Sequence, residues 1–254
     1  MSTIKGFKIN QLLQSQPSGV VFLSSWLVEQ GYSHDLLRKY KNSNWFTPIG
    51  SGAMVRTGEE VGYEGALYAL QEQLGLSVHL GGRTALSLLG RAHYLDFNVK
   101  KIFLFCKSGT KLPTWFLDYD WGYKIEQINT SFLPSDIVLS PIEQKTFSIK
   151  ISSPERAIVE CLYLTPKVHS FLECYELMEG LNNLRPNHIQ TLLEQCSSVK
   201  VKRLFLYMAE KTNHNWFNYI KIEKIDLGSG KRSLLNDGVY IPKYNITVPK
   251  ELET

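Results

Sequence analysis

The order of apolar and polar residues divides this chain into a helical beginning and a later part that contains strands. Apolar side chains recur at helical spacing over residues 4–16, 20–27 and 34–42, and proline, glycine and asparagine separate these segments. Short apolar pairs at residues 45–46 and 54–55 flank a Gly-Ser-Gly turn, which predicts a β-hairpin. Three helices followed by a hairpin are the elements of a winged helix-turn-helix.

The third predicted helix has an apolar and a polar side. Ser33 is an N-cap residue type at its start, and Leu36, Leu37 and Tyr40 fall on the apolar side. At about 100° per residue, another side gathers basic and amide side chains with Asp35 beside them. Such a side is often only solvated, but the order of elements favours a helix in the DNA major groove and a hairpin on the flanking backbone. We therefore expect double-stranded DNA to be bound by Ser33, His34, Arg38, Lys39, Lys41, Asn42, Ser51 and Arg56.

The remaining chain predicts a mixture of helices and strands. Helices are predicted over residues 62–76, 83–89, 153–164, 169–181, 186–196 and 199–211, and strands over residues 78–80, 101–106, 123–128, 147–151 and 239–241. The last helices follow the main group of strands, which is typical of an α+β domain. The predicted fold class is α+β, with a winged helix-turn-helix domain and its packing helices at residues 1–95 and a mixed α+β domain at residues 96–254.

The composition of the chain indicates the cellular compartment in which it acts. A chain of 254 residues with 43% hydrophobic residues can bury a sizeable core, and its net charge of +4 favours an anionic partner only weakly. The four cysteines lack the spacing of a zinc site, so we expect buried free thiols in a reducing cytoplasm. The N-terminus lacks the apolar core of a signal peptide, and no apolar run approaches the roughly 18 residues of a membrane span. The sequence predicts a cytoplasmic protein without a membrane segment.

Basic residues are in excess at residues 1–58 and again at residues 199–232, where aromatic residues are interleaved with them. A solvated helix face is one interpretation of the second segment. The other is an auxiliary nucleic-acid surface, because aromatic rings among cations are typical of such surfaces. The candidate residues of this auxiliary basic surface are Lys200, Lys202, Arg203, Lys211, Lys231 and Arg232.

The motifs that would indicate catalysis are incomplete. Residues 228–233 resemble a phosphate-binding loop, but Ile225 and Arg232 stand where that motif needs glycine and a hydroxyl residue. Asp136 followed by Glu143 and Lys145 is similar to the pattern of Mg²⁺-dependent nucleases, with a solvated loop as the alternative. We therefore predict no enzyme activity, no catalytic residues, no metal site and no cofactor.

Five segments carry a resemblance to a known family. They are YSHDLLRKY, the hairpin GSGAMVRTG, GALYALQEQLGLSVHLGG and RTALSLLGRAHYL, all within residues 32–95, and SPERAIVECL at residues 153–162. These segments resemble the AbiEi family of antitoxins from type IV toxin–antitoxin systems, which act in abortive infection. This chain departs from the pattern at two places, because its third helix contains Asp35 and its hairpin tip lacks arginine or lysine.

The resemblance implies a transcriptional regulator with two roles. The winged helix-turn-helix would bind inverted repeats in its own promoter and repress it. The second domain would neutralise a toxin of nucleotidyltransferase-like fold, which would be a functional partner rather than a stably bound one. The alternatives are a plain winged-helix repressor without a toxin and a metal-dependent nuclease with a winged-helix targeting head.

Overall fold

A computed structural model of the chain describes residues 3–91, 101–233 and 238–252, with side chains from residue 8 onward. In chain order, the α-helices of this part are α1 (Thr3–Ser15), α2 (Ser24–Glu29), α3 (His34–Asn42), α4 (Tyr63–Tyr68), α5 (Gly82–Leu88), α6 (Thr114–Asp118), α7 (Pro154–Leu164), α8 (Phe171–Glu179), α9 (Pro186–Gln195) and α10 (Val199–Lys211). The strands are β1 (Phe22–Leu23), β2 (Phe46–Gly50), β3 (Ala53–Arg56), β4 (Val78–Leu80), β5 (Lys101–Lys107), β6 (Lys124–Thr130), β7 (Leu139–Glu143), β8 (Ser148–Ser152), β9 (Arg232–Ser233), β10 (Val239–Ile241) and β11 (Ile246–Val248). This mixture confirms the α+β class.

The chain forms two compact units, and each is discontinuous in sequence. The first unit comprises Met1–His79, Gly109–Ile125 and Pro141–Lys150. The second comprises Leu80–Ser108, Glu126–Ser140 and Ile151–Thr254. The domain boundary predicted at residues 95–96 lies outside the described residues.

The winged helix-turn-helix has one apolar core. Ile9 and Leu12 of α1, Leu27 of α2 and Leu37 of α3 are buried together with the aromatic ring of Phe46 from β2. The three strands of its sheet follow the order β1-β3-β2 and are antiparallel. Burial of each large apolar side chain contributes about 1.5–3 kcal/mol, so the helices and the hairpin stabilise one another.

The helix predicted over residues 20–27 begins later than expected. Val20 to Leu23 are buried, and Phe22 and Leu23 pair with Met54 and Ala53 as strand β1. Helix α2 starts at Ser24. An apolar run buried on both faces has no periodicity that separates a strand from a helix, which explains the error.

The helix predicted over residues 62–76 is α4 continued by a π-helical turn at Ala69–Gln73. The π-helical turn contains buried Gln73, whose side-chain amide bonds to the backbone of Val21, just before β1, and of Leu23 within it. Its Nε2 donates to the Val21 carbonyl at 2.6 Å, and its Oε1 accepts from the Leu23 N–H at 2.9 Å. A side chain thus supplies the hydrogen bonds that a further strand would otherwise make to β1.

Helix α6 is an element of the first unit that the sequence analysis did not predict. It packs against β2 of the hairpin, and Gly50 lies so close to Trp115 that an added Cβ would stand 2.7 Å from the Trp115 Cβ. Thr146 Oγ1 donates to the Ser18 carbonyl at 2.7 Å. Residues distant in sequence therefore complete the winged helix-turn-helix.

Helix α7 of the second unit begins as predicted. The Ser153 hydroxyl accepts from the Arg156 N–H, and Pro154 occupies the first turn. The Glu160 carboxylate accepts from Arg156 Nε at 2.8 Å and from the Gly82 N–H at 2.9 Å. Arg156 also donates to two carbonyls of the 134–137 segment. The SPERAIVECL segment therefore has a structural role in joining α7 to its neighbours.

Two further sheets complete the description. Among the described residues, one sheet has the strand order β6-β5-β4-β8-β7, and Leu80 of β4 pairs in parallel with Ile151 of β8. The other has the order β10-β11-β9. Strand β7 lies in a segment for which a solvated loop was the alternative prediction, and Pro141 within it concealed the strand.

Candidate nucleic-acid interface

Helix α3 is fixed at both ends and on one side. The Ser33 hydroxyl accepts from the Leu36 N–H at 3.3 Å, which confirms the predicted N-cap. Leu37 and Tyr40 are buried in the core. The helix ends where Asn44 adopts a left-handed conformation, with φ of 54°, and its N–H donates to the Lys41 carbonyl. The orientation of α3 is thus set by its buried side.

The opposite side of α3 is presented to solvent. Arg38 exposes 75% of its side chain and Asp35 exposes 81%. Lys39, Asn42 and His34 are also exposed, whereas Lys41 is half-buried. The structure therefore brings most of the predicted helix residues together on one face, with Lys41 at its edge.

This face offers the side chains that read and hold DNA. Arginine and asparagine make bidentate hydrogen bonds to guanine and adenine in the major groove, and lysine meets phosphate oxygens. Ser33 uses its oxygen as the helix cap, but its O–H proton remains available for a phosphate. The arrangement is chemically suited to double-stranded DNA.

The hairpin β2–β3 is short, and it is held by contacts with helices α2 and α6. Ser51 and Gly52 at its tip are exposed, but the Gly52 carbonyl accepts from the Ser24 N–H at 2.8 Å. On β2, Gly50 lies against Trp115. Ser51 is therefore an available hydroxyl on a tip without a positive charge.

Arg56 does not have the position that the sequence analysis expected. Only 13% of its side chain is exposed, and its Nη2 donates to the carbonyls of Leu13 and Gln16 at 2.9 and 2.7 Å. Its Nη1 pairs with Glu59 at 3.3 Å, and its guanidinium lies over the Phe22 ring. The prediction of a phosphate contact here is wrong, because the guanidinium joins β3 to the end of α1.

Residues next to α3 extend the exposed surface beyond the predicted set. Trp45 exposes 44% of its surface, although its backbone is fixed by hydrogen bonds with Tyr40 and Thr57. The hydroxyls of Thr47 and Thr57 lie 2.9 Å apart in an exposed position. Trp45 directly precedes Phe46 of β2, and side chains alternate between two faces along extended chain, so an inward-facing Phe46 indicates an outward-facing Trp45.

The auxiliary basic surface is only partly a surface. Lys202 and Arg203 are 4% and 1% exposed, so the prediction is wrong for both residues. Lys200 Nζ donates to the carbonyls of Tyr163 and Thr165, and burial lowers the pKa of its ammonium group. Of the other candidates, Lys211 is half-buried, and Lys231 and Arg232 are exposed.

The buried guanidinium of Arg203 has a structural role. All three of its nitrogens donate to backbone carbonyls at 2.7–3.0 Å. The acceptors belong to Leu227, Gly228, Gly230 and Asn245. Arg203 thus joins helix α10 to the segments that precede β9 and β11.

The residues considered for a nuclease site lie on the surface. Asp136, Glu143 and Lys145 are exposed, and the Asp136 carboxylate accepts from the neighbouring Ser135 hydroxyl at 3.1 Å. Across residues 3–91, 101–233 and 238–252, we find no group of three or more histidine, cysteine or acidic residues placed to bind a metal ion.

The cysteines are free thiols, as predicted, and all four are buried. Burial raises the pKa of the Cys106 thiol to about 12, and it also raises the pKa values of the Cys161, Cys174 and Cys196 thiols. These thiols stay protonated at neutral pH. Within the described part of the chain, no helix has the length and apolar character that crossing a membrane requires.

Two protein-family models match this chain, and a solved structure resembles its fold. Residues 5–97 match a family model described as "Transcriptional regulator, AbiEi antitoxin N-terminal domain". Residues 99–249 match one described as "Transcriptional regulator, AbiEi antitoxin, Type IV TA system". No curated protein matches the sequence. The crystal structure of the RV2827C protein from Mycobacterium tuberculosis is similar in fold, with a TM-score of 0.55 and 12% identity over 89% of this chain and 85% of that chain.

Proposed function

Because the chain belongs to the AbiEi family of antitoxin transcriptional regulators of type IV toxin–antitoxin systems, we propose that it represses its own promoter through helix α3. The exposed face of α3 enters the major groove of inverted repeats, where Arg38 and Asn42 meet base edges. Ser33, His34, Lys39 and Lys41 meet the sugar–phosphate backbone, and Ser51 approaches it from the hairpin. The observation that carries this proposal is the exposure of Arg38 opposite the buried Leu37 and Tyr40.

The second role in this proposal is neutralisation of a toxin. We assign it to residues 99–249, which match the second AbiEi antitoxin model and lie outside the helix-turn-helix that carries the DNA-binding face. The toxin has a nucleotidyltransferase-like fold, is encoded beside this gene and is countered without a stable complex. Both roles are exerted in the cytoplasm, where the promoter and the toxin are present together. The protein acts without a cofactor and without catalysis.

A gel-shift titration with the native promoter fragment tests the DNA-binding role. Arg38→Ala should weaken binding by about 1–3 kcal/mol, the usual loss for one base contact, and should leave the thermal melt unchanged. A scrambled fragment of equal length serves as the control. If both the affinity and the thermal melt are unchanged, the proposal that α3 binds in the major groove is contradicted.

Co-expression with the neighbouring gene tests the antitoxin role. Arg38→Ala should derepress a promoter reporter but still rescue growth, because the two roles are assigned to different parts of the chain. Failure of the native chain to rescue growth, with repression intact, would indicate a repressor that is not the antitoxin of this gene product. Loss of rescue in Arg38→Ala alone would show that the two roles cannot be separated.

A further inference from the structure

Asp35 is a carboxylate on a face that otherwise offers positive and amide groups to DNA. Its side chain is 81% exposed. Asn42 follows it by seven residues, so the two positions lie only about 20° apart around the helix axis. Arg38 and Lys39 flank this direction, while Leu37 and Tyr40 are buried on the other side. Asp35 therefore lies on the proposed DNA-facing surface, between Arg38 and Lys39.

The partner of Asp35 within the protein is weakly bound. The Asp35 carboxylate lies 3.8 Å from Arg38 Nη1, which is beyond hydrogen-bond length, and both side chains are largely in solvent. Exposed ion pairs of this kind contribute little to stability. The carboxylate can therefore exchange Arg38 for another hydrogen-bond donor at little cost.

A carboxylate in this position limits which groups of the DNA the helix can bind there. It repels phosphate, so it opposes non-specific attraction to the DNA backbone. An ionised carboxylate only accepts hydrogen bonds, and the donors on the major-groove edge are the amino groups of cytosine and adenine. A single aspartate typically pairs with the cytosine N4 amino group, whereas adenine suits the donor-plus-acceptor amide of asparagine or glutamine.

We propose that Asp35 is a specificity-determining residue that accepts a hydrogen bond from a cytosine in the operator half-site. This inference rests on the proposed DNA-binding function of α3. Arg38 lies three residues further along, about 4.5 Å along the helix axis, which is slightly more than the roughly 3.4 Å between stacked bases. On DNA, the Asp35–Arg38 pair separates, and Arg38 turns to a guanine of the same or the adjacent base pair. The two side chains together would then read one or two adjacent G·C base pairs.

The test uses the full chain and a panel of promoter duplexes. Each base pair of one half-site is changed in turn to the other three, and dissociation constants are measured at fixed salt together with that for a random duplex. The native chain should prefer cytosine at one position roughly tenfold, within the usual discrimination of a base contact. Asp35→Asn should change the preference at that position to adenine and leave the other positions unaltered.

Two further variants separate base recognition from charge. Asp35→Ala should lose the cytosine preference without gaining another, while its thermal melt shows whether α3 stays folded. Glu29→Gln removes an exposed carboxylate at the end of α2 and should leave every base preference unchanged. If Asp35→Asn and Asp35→Ala raise affinity for all duplexes by one factor and keep the native preferences, the inference is overturned. Equal binding of promoter and random duplex by the native chain would instead contradict the proposed function.

Discussion

Helices α3 and α10 both carry adjacent basic residues, and the protein uses them in opposite ways. In α3, Arg38 and Lys39 are exposed, and Arg38 is 75% in solvent. In α10, Lys202 and Arg203 are almost completely buried, and Arg203 binds backbone carbonyls. The first pair is available to a partner. The second pair belongs to the core of its own unit.

The difference follows from the apolar residues around each pair. Helix α3 is strongly amphipathic, so its cations have a free side. Helix α10 has apolar residues on every side, and all positions from Val201 to Ala209 are buried. A cation in such a helix must find acceptors within the protein, because an unpaired buried charge is costly. A basic segment therefore indicates a surface only when its apolar residues leave one face free.

The largest effect that this comparison predicts is on folding. Arg203→Met should lower the free energy of unfolding by about 3–5 kcal/mol, because it removes the hydrogen bonds of one buried guanidinium to four backbone carbonyls. Urea denaturation of the full chain measures this loss. Lys39→Ala is the matched control, and it should stay within about 0.5 kcal/mol of the native chain. A loss below about 1 kcal/mol for Arg203→Met would contradict its structural role.

The second prediction compares two ion pairs. Arg38 and Asp35 are exposed at 3.8 Å, whereas Arg185 Nε lies 3.0 Å from the nearly buried Glu155 carboxylate. Burial alone would raise the pKa of Glu155, but hydrogen bonds from Arg185 and Ser153 overcome this effect and lower the pKa to about 2. The pair therefore stabilises the fold fully at pH values above 4.5, which is the pKa of this carboxyl in the unfolded chain.

Acid should remove this stabilisation in a defined range. As the pH falls from about 4.5 to about 2, the unfolded state takes up a proton that the folded state resists, and about 3 kcal/mol of stability should be lost. Arg185→Met should show part of that loss already at pH 7 and a flatter dependence below pH 4.5, because Ser153 and backbone N–H groups still donate to the Glu155 carboxylate. Denaturation at pH 7, 4 and 2.5 measures both. A variant as sensitive to acid as the native chain would contradict the assignment.

The third prediction concerns Arg56, a basic residue of the first unit with a structural role. Arg56→Ala should destabilise the fold by about 2 kcal/mol, because the Leu13 and Gln16 carbonyls and Glu59 lose a shared donor. The salt dependence of DNA binding by the folded variant should not change. Arg56→Lys keeps the charge but lacks the fork, so it should recover only part of the stability. A smaller slope of log affinity against log salt in Arg56→Ala would show that Arg56 does contact DNA phosphate.

The structures that the sequence predicted correctly depend on residues close together in the chain. Ser33 and Ser153 cap helices through an N–H three residues away, and the spacing of Leu37 and Tyr40 identifies the buried side of α3. Capping and periodicity act within a few turns, so a single sequence contains them. The hairpin was predicted for the same reason, from its turn residues.

The structures that escaped prediction depend on residues distant in the chain. Trp115 covers Gly50 of the hairpin, Arg56 reaches the end of α1, and Arg203 reaches carbonyls more than twenty residues away. No local pattern indicates such partners. The exposed face of α3 was predictable because solvent, rather than a distant segment, surrounds it. A fragment ending near residue 98 would lack Trp115 and Thr146, which pack within the first unit.

The smallest predicted effect concerns Lys39 itself. Lys39 is an exposed cation of α3 beside the proposed base-reading residues, and a lysine there meets phosphate as a point charge. One phosphate contact releases about one counterion, so Lys39→Ala should reduce the slope of log affinity against log salt by about 0.9. Promoter and random duplexes should weaken by the same factor. Titrations at several salt concentrations measure the slope for each.

The matched control is Lys8→Ala, which removes an exposed lysine from α1, outside the proposed interface. Long-range attraction alone would make the two variants equal, since each removes one positive charge from the same unit. If Lys39 contacts a DNA phosphate, Lys39→Ala should reduce the slope of log affinity against log salt, and Lys8→Ala should leave that slope nearly unaltered. Weakening confined to the promoter would make Lys39 a base contact. Unfolding curves for both variants should match the native chain, unlike that of Arg203→Met.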